Sequence, residues 1–325
     1  MNGTPKVSVI VPVHDTAPWL ERCVESIRRQ SLHDIEIILV ENCSTDDSPA
    51  LCDAYAAADD RIRALHLAQA GLSRARNAGL AVATAPYAGF IDSDDYIEPD
   101  MFRRLYDAAV GSGAQMAYCD LAYEEEGAPQ SVAPAAPVTV HSPEEILCGL
   151  MLERISASAC TKLFDRRLFD ELKFPLDVCF EDHRVVHEWV ARCRRIAHVE
   201  KVCYHYIQRD GSICHSFGPM KHYHFFLANS ERFEFVLRQQ LCAGRPEQAA
   251  ICDKLVRNCL WNFREALRCR RPAGFDSAVS EMRSRLARMY EAQVPLPSAT
   301  LGRLRRVVEH YGWYYITHFA FRKKR

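Results

Sequence analysis

The string FIDSDDYIEPD, Phe90–Asp100, places four aspartates at the end of a short apolar run. We do not expect so many carboxylates inside a hydrophobic core. If the run is a buried strand, Asp92 and Asp94 stand two residues apart at its carboxyl end, where they can bind one hard cation, Mg²⁺ or Mn²⁺, that bridges substrate phosphates. An acidic turn before a helix beginning near Pro99 has the same composition. The string alone leaves both interpretations open.

A second acidic pair, Glu181 and Asp182, opens a predicted helix that continues through Trp189. On its own the pair is typical of acidic residues that favour the positive N-terminus of a helix. His183 and His187 stand four residues apart on this helix, a spacing that can bind zinc, but no HExxH pattern and no third ligand accompany them. We therefore expect these two histidines to be surface or packing residues.

Apolar runs and amphipathic segments alternate through the N-terminal part of the chain. Such alternation predicts an α/β fold, a largely parallel, doubly wound sheet with helices on both faces. Ligands of these sheets bind beyond the carboxyl ends of the strands, where the acidic string falls. The predicted strands are Val7–Val13, Ile35–Val40, Ile62–Leu67 and Tyr87–Ile91, and the predicted helices include Leu20–Ile27, a segment from Asp46 through Tyr55, and Leu72–Val82.

The C-terminal third has a different pattern. Glu124–Val140 is rich in Pro and Ala and predicts a loop or an irregular hairpin. Beyond about Ser216 the strand pattern stops, and amphipathic helices are expected at Phe225–Leu241, Gln248–Leu267 and Phe275–Tyr290. We therefore predict an α/β domain over residues 1–215 and a helical region over 216–325.

The composition is that of an ordinary globular protein, with 48% hydrophobic and 26% charged residues in 325. The N-terminus lacks the pattern of a signal peptide, and no apolar stretch reaches the roughly 18 residues of a spanning helix. We therefore expect a cytoplasmic protein whose 14 cysteines are reduced, mostly buried thiols. No CxxC pair occurs among them, which argues against zinc-ribbon and redox sites.

Seven segments, in the right order from Val7 to about Phe217, resemble the family-2, GT-A-type glycosyltransferases of bacteria. The first four are VSVIVPVHD, VENCSTDDS, GLSRARNAG and FIDSDDYI, the last of which resembles the family's Asp-Xaa-Asp metal motif. The later three are ACTKLFDRRLF, FEDHRVVHEW and VCYHYIQRDGSI. The resemblance implies a GT-A-type catalytic domain over residues 1–215, with a doubly wound mixed sheet that has helices on both faces.

The resemblance also implies which residues contact the nucleotide. Pro12, Val13 and His14 stand against the nucleobase, and His14 replaces a commoner Tyr. In the second turn Glu41 and Asn42 contact the nucleotide, and the Asn42 amide oxygen replaces an acid that accepts a hydrogen bond from uracil. Cys43 replaces a Gly that permits unusual backbone angles, so this turn is either differently shaped or strained.

For the reacting groups, the resemblance implies direct metal coordination by Asp94, and contact with the ribose or with the metal's surroundings by Asp92. Ser93 between them belongs to the nucleotide-sugar site. Arg76 contacts a phosphate or braces Asp92, although an exposed helix arginine is an alternative interpretation. Asp182 is the general base that takes the proton of the acceptor hydroxyl. His205 either orients a phosphate or is a buried strand histidine.

These assignments predict an inverting glycosyltransferase that uses Mn²⁺ or Mg²⁺ and a nucleotide diphosphate sugar, with UDP first among the nucleotides. It would transfer a hexosyl or N-acetylhexosaminyl group to a glycan or lipid-linked hydroxyl acceptor in surface polysaccharide synthesis, with no nucleic acid as partner. The altered second turn suggests a different class, a non-catalytic sugar-nucleotide binding module. A nucleotidyltransferase would need a Gly-rich, Lys- or Arg-bearing loop after the first strand, and VPVHDTAPW has neither glycine nor lysine.

The last 25 residues, 301–325, combine seven Lys or Arg with one acidic residue and several aromatic residues. A helix of this composition suits peripheral contact with an anionic membrane, here the inner face of the cell membrane. The alternative is that its aromatic residues pack on the protein itself and its charges face water.

Overall fold

The computed structural model describes residues 4–125, 137–208, 218–269, 272 and 274–315. The chain divides into two compact units. One comprises residues 1–146, 156–177 and 185–212, and the other comprises residues 147–155, 178–184 and 213–325. Asp182 therefore lies in the second unit, whereas every other predicted site residue lies in the first.

The first unit is built on one mixed sheet, as predicted. Its described strands follow the order β3-β2-β1-β4-β8-β6-β9-β5, and β7 pairs with β9. Strands β1 to β4 are mutually parallel, β8 runs antiparallel between β4 and β6, and β9 is parallel to β6. The strands are β1 Val7–Val13, β2 Ile35–Glu41, β3 Ile62–His66, β4 Tyr87–Phe90, β5 Tyr96–Ile97, β6 Met116–Glu125, β7 Val138–His141, β8 Lys162–Asp165 and β9 Ile196–Gln208.

The first three helices of the first unit lie where amphipathic segments were predicted. The helices that begin in the first unit are α1 Ala17–Arg28, α2 Ser48–Ala58, α3 Leu72–Val82, α4 Met101–Ser112 and α5 Pro143–Met151. Helix α3 packs on β1 and β2, where Gly79 allows a close approach, because a Cβ atom there would lie 2.4 Å from Ile10 Cγ2. This contact fixes α3, and with it Arg76 one turn earlier, against the centre of the sheet.

The prediction of a loop or irregular hairpin over Glu124–Val140 was wrong at both ends. Strand β6 continues to Glu125, and Val138–His141 forms β7, antiparallel to β9. The run VTVH is β-branched, and its alternate residues Val138 and Val140 are half-exposed, as expected for an edge strand whose backbone pairs on one side. Residues 126–136 lie outside the described part of the chain.

The second unit is helical. Helix α6, Glu181–Arg192, begins in it, and α7 Pro219–Arg238, α8 Pro246–Arg268 and α9 Asp276–Glu291 confirm the three helices predicted from periodicity. They pack together through apolar residues such as Phe226, Phe233, Leu255 and Phe263, all nearly inaccessible to solvent. The C-terminal string forms two helices, α10 Ser298–Glu309 and α11 Tyr311–Tyr315.

Two aromatic residues of the C-terminal string pack on the second unit itself. The Tyr311 ring lies 6.1 Å from the Phe263 ring and 3.9 Å from the Arg283 guanidinium carbon, and the Tyr314 ring lies 6.4 Å from Phe263. Arg303, Arg305 and Arg306 of α10 are exposed. Phe319, Phe321 and the final Arg-Lys-Lys-Arg lie outside the described residues. None of the helices in the described part is long and apolar enough to cross a membrane.

Candidate functional site

The first predicted nucleotide contacts lie where β1 and β2 end side by side. Pro12 and Val13 are buried at the end of β1, and His14 is exposed just beyond them. The Asn42 N–H donates to the Val13 carbonyl at 2.8 Å, and His14 Nδ1 lies 2.8 Å from the Asn42 carbonyl oxygen. These two contacts bring the predicted residues of both turns together at one edge of the sheet.

The second turn keeps a backbone shape that normally requires glycine. Cys43 has a φ of 59°, in the left-handed region, so the turn is strained rather than differently shaped. A non-glycine residue in this region costs about 1–2 kcal/mol. The turn is stabilised by the side chains of the two residues before Cys43, because Glu41 Oε1 accepts the Ser44 N–H at 2.5 Å and Asn42 Oδ1 accepts the Gly71 N–H at 2.7 Å.

The Gly71 contact changes the expectation for Asn42. An amide oxygen has two lone pairs, and Gly71 uses one of them. Asn42 Oδ1 therefore has one acceptor position left for a nucleobase. The same contact joins the second turn to the start of α3, the helix that carries Arg76.

Arg76 braces Asp92, one of the two roles expected for it. Its Nη2 donates to Asp92 Oδ1 at 2.8 Å, and its guanidinium carbon lies 5.3 Å from the centre of the Phe174 ring. Arg76 is only 2% exposed, so the interpretation as an exposed helix arginine was wrong. A buried guanidinium needs a compensating charge, and Asp92 supplies it at the carboxyl end of β4.

The aspartates after β4 differ in exposure. Asp92 and Asp94 are partly accessible to solvent, whereas Ser93 between them is buried, with its Oγ 2.8 Å from Thr16 Oγ1. Arg22 Nη2 donates to the Asp94 carbonyl oxygen at 2.8 Å, which fixes the backbone of the motif. Two accessible carboxylates two residues apart are a donor set that suits a hard divalent cation.

Asp95 is not an accessible carboxylate, and the expectation that none of the four aspartates is buried was wrong for it. It is 1% exposed, accepts the Tyr204 hydroxyl at 2.5 Å through Oδ2, and accepts the Ile207 N–H at 2.8 Å through Oδ1. Burial, with Asp92 and Asp94 nearby, raises the pKa of Asp95 well above its usual value. Its two partners, both on β9, explain why a carboxylate is tolerated there.

The predicted base, Asp182, lies in the first turn of α6. It is partly exposed, and its Oδ1 accepts the N–H of His183 at 2.7 Å. Glu181 beside it is buried. This hydrogen bond agrees with an acidic residue at a helix N-terminus, and the accessibility of Asp182 agrees with a base, so the contact alone favours neither interpretation.

The sequence profile of Glycosyl transferase family 2 matches residues 8–172. The match spans about half of the chain and includes both turns, Arg76 and the aspartates after β4. The chain belongs to glycosyl transferase family 2. Within the family it is 48% identical over 105 residues to the uncharacterized glycosyltransferase EpsJ of Bacillus subtilis, covering 32% of this chain and 30% of EpsJ. It is 32% identical over 224 residues to the glycosyltransferase GlyG of Streptococcus pneumoniae, covering 64% of this chain and 72% of GlyG.

Two solved structures have a similar fold. TarS of S. aureus in complex with UDP-GlcNAc gives a TM-score of 0.64 at 19% identity, over 95% of this chain and 92% of that chain. The mannosyltransferase PcManGT of Pyrobaculum calidifontis, in complex with GDP-Man and Mn²⁺, gives a TM-score of 0.53 at 18% identity, over 97% of this chain and 84% of that chain. At these identities the likeness shows the fold alone, and it confirms the GT-A-type sheet followed by helices.

The residues of this family 2 chain that could hold a metal are Asp92 and Asp94. Among the described residues no three His, Cys, Asp or Glu side chains gather in a way that could hold an ion. A divalent cation held by one or two carboxylates, with its other positions taken by phosphate oxygens and water, needs no larger protein cluster. The donor set therefore fits a metal that binds together with a diphosphate.

The structure also decides between the interpretations given for the three histidines. His205 is 1% exposed and lies between two carboxylates, with Nδ1 2.7 Å from Glu124 Oε1 and Nε2 2.9 Å from Glu98 Oε1. It is therefore a buried strand histidine. His187 is buried, and the His183 ring packs 5.1 Å from the Phe225 ring, in agreement with packing roles.

Sequence reasoning missed three residues that position the aspartates, namely Thr16, Arg22 and Tyr204. The Tyr204 hydroxyl accepts the Asp92 N–H at 3.3 Å and donates to Asp95, so it ties both ends of the motif to β9. A tyrosine that comes 109 residues after Asp95 carries no local pattern that links it to the motif. Only the pairing of β5 with β9 brings the two together.

Proposed function

We propose that this chain is an inverting, metal-dependent glycosyltransferase that moves a hexosyl or N-acetylhexosaminyl group from a nucleotide diphosphate sugar to a hydroxyl acceptor. The observation that carries the proposal is the ion pair between buried Arg76 and Asp92, which fixes Asp92 just beyond the carboxyl end of β4, two residues before Asp94. UDP is the first choice of nucleotide, and a glycan or lipid-linked acceptor in bacterial surface polysaccharide synthesis is the biological setting.

The comparisons support the class of donor. TarS was solved with UDP-GlcNAc, and PcManGT with GDP-Man and Mn²⁺. Both are nucleotide diphosphate sugars, and both proteins share the sheet that carries Asp92 and Asp94 here. Asp94 would hold Mn²⁺ or Mg²⁺, with Asp92 beside it, and the ion would neutralise charge on the leaving diphosphate.

The reaction needs a base as well as a leaving group. Asp182 takes the proton of the acceptor hydroxyl while that oxygen forms a bond to the anomeric carbon. The bond from the anomeric carbon to the diphosphate oxygen breaks, and the diphosphate leaves with the electron pair. Because attack and departure occur on opposite faces in one displacement, the anomeric configuration inverts.

The Asp182→Asn variant tests the base, because it keeps the shape of the side chain and loses its ability to take a proton. We expect UDP to bind as in the wild type, by calorimetry with MnCl₂ present, and kcat for transfer to fall by roughly 10²–10⁴. The control is Asp170→Asn, which removes an exposed carboxylate that no step uses. An unchanged kcat would move the base elsewhere, and loss of UDP binding would assign Asp182 to the donor instead.

A further inference from the structure

Helix α7 holds the short segment that carries Asp182. The Cys179 N–H donates to His224 Nδ1 at 3.1 Å, and the Phe180 ring packs 4.8 Å from the Phe225 ring. Phe180 has a φ of 60°, in the left-handed region, so the chain enters α6 through a strained residue. Strain of this kind persists only where surrounding contacts fix the backbone. The segment is thus held in place by α7 from one side.

Two side-chain contacts continue this attachment through the first turn of α6. Arg184 Nε donates to Glu231 Oε2 at 2.7 Å, and a second guanidinium nitrogen contacts the other carboxylate oxygen. Arg232, the next residue on α7, donates from Nε to the His183 carbonyl at 2.8 Å. The carbonyl that Arg232 contacts therefore belongs to the residue directly after Asp182.

Arg232 is a buried cation with unused hydrogen-bonding capacity. It is 1% exposed, and within the described part of the chain its Nη2 has no hydrogen-bond acceptor. Burial lowers the pKa of Arg232 to about 10, while Asp182 and Glu153 act in the opposite direction. The guanidinium is therefore charged at neutral pH, and a buried charge must be compensated by nearby acids.

Of the two acids near Arg232, Glu153 already has partners of its own. Its Oε2 lies 2.5 Å from Lys254 Nζ, and its Oε1 accepts Asn258 Nδ2 at 2.8 Å. Among the described residues, Asp182 accepts only the neutral N–H of His183. Of the two acids, Asp182 acts more strongly on the Arg232 guanidinium.

We propose that Arg232 is a positioning residue for Asp182, which it orients through His183. The proposal rests on the proposed function, since it assumes that Asp182 is the base. Arg232 Nε donates to the His183 carbonyl, and the His183 N–H in turn donates to Asp182 Oδ1, so one residue links Arg232 to Asp182. Arg232 itself touches neither donor nor acceptor in this account.

A double-mutant cycle tests the proposal, with Arg232→Gln, Asp182→Asn and the pair combined. The assay measures nucleotide release from UDP-glucose, UDP-galactose, UDP-N-acetylglucosamine and GDP-mannose with MnCl₂, using whichever the wild type turns over fastest. If Arg232 acts through Asp182, Arg232→Gln lowers kcat about tenfold in the wild type and less than about twofold in the Asp182→Asn background. Its effect on UDP affinity is expected to be nil.

Two further variants separate positioning from general damage to the helices. Arg232→Lys keeps the cation, so we expect it to recover part of the lost kcat. Glu231→Gln breaks the neighbouring ion pair with Arg184 without removing a charge beside Asp182, so its effect should multiply with that of Asp182→Asn. Equal losses from Arg232→Gln in both backgrounds would overturn the proposal.

The proposal and the proposed function fail in different ways. A normal kcat in Asp182→Asn contradicts the assignment of Asp182 as the base. If Asp182→Asn loses much of its kcat, and Arg232→Gln lowers kcat by the same factor in both backgrounds, only the positioning role is contradicted. If no donor is turned over, urea unfolding of the same four proteins decides. If Arg232 and Asp182 are coupled, we expect Arg232→Gln to change the unfolding equilibrium constant of the wild type by a factor at least about threefold larger than in the Asp182→Asn background. Equal changes contradict it.

Discussion

Among the residues after β4, exposure separates the carboxylates that a ligand can reach from the one that supports them. Asp92 and Asp94 are partly accessible, whereas Asp95 is buried and bonded to β9. The accessible pair is the group for which binding to a cation is physically reasonable, because a hard cation must be reached by phosphate and water as well. The buried one holds the backbone of the motif.

The Asp94→Ala variant is expected to abolish the gain in UDP affinity that MnCl₂ produces over EDTA. The fold should be retained, because Asp94 is partly exposed at the end of a strand. Titration calorimetry of UDP in the two buffers measures the difference. Asp107→Ala, on the exposed side of α4, is the matched control. The same metal-dependent gain in Asp94→Ala and wild type would show that the metal binds elsewhere.

At the residue scale, sequence reasoning reached the candidate reacting groups and missed the groups that hold them. A brace on Asp92 was one of the two roles predicted for Arg76, because the motifs that carry the two residues are contiguous strings. Asp95, Tyr204 and Arg232 were missed because their roles depend on partners distant in sequence, and on burial that composition does not reveal. The string alone does not distinguish its four aspartates. The contacts of Asp95 with β9 distinguish it from the others.

At the scale of elements, Asp59 links α2 to the end of α1 and to the start of β3. It follows α2, and it accepts Arg61 Nη2, just before β3, at 2.8 Å and Arg28 Nε, the last residue of α1, at 3.1 Å. These two arginines hold the pKa of Asp59 well below its usual value, with Arg61 as the larger cause. A carboxylate with a lowered folded pKa stabilises the fold above its unfolded pKa, near 3.9, and this contribution is lost as the pH falls through the folded value.

We therefore expect Asp59→Asn to lower the free energy of unfolding by about 2 kcal/mol at neutral pH, and to make stability less sensitive to acid below about pH 4. Urea unfolding at a series of pH values measures both effects. Asp60→Asn, an exposed neighbour, is the control. An Asp59→Asn variant with the acid sensitivity of the wild type would show that the two arginines add nothing to stability.

Element prediction succeeded where periodicity was strong and failed at a sheet edge. The first four strands and α7 to α9 agree with the apolar patterns that predicted them. Strand β7 was missed because VTVH is too short, and its half-exposed valines too isolated, to stand out beside a Pro- and Ala-rich stretch. Its partner, β9, follows more than fifty residues later and is what makes it a strand.

At the scale of the whole molecule, the membrane interpretation concerns α10 and the residues after it. Tyr311 and Tyr314 pack on Phe263, so these two rings support the alternative of docking on the protein. The exposed arginines of α10 and the terminal basic residues are the groups left for a membrane. Each basic residue near an anionic surface contributes about 1 kcal/mol.

Deletion of residues 316–325 tests this interpretation and spares α10, whose Leu304 and Val307 are buried. We expect the full chain to co-sediment with vesicles rich in phosphatidylserine at low salt, and the deletion to weaken binding at least about tenfold, as loss of four basic residues implies. Phosphatidylcholine vesicles are the control. Equal binding of both proteins, or none by the full chain, would contradict the membrane interpretation.

The most direct test of the central claim is proton NMR of the full chain incubated with the four sugar nucleotides named above, in MnCl₂ and in EDTA. We expect one donor to be consumed only with MnCl₂, and the released or transferred sugar to appear first with the anomeric configuration opposite to that of the donor. Retention of configuration, equal turnover in EDTA, or no turnover of any of the four would contradict a metal-dependent, inverting glycosyltransferase.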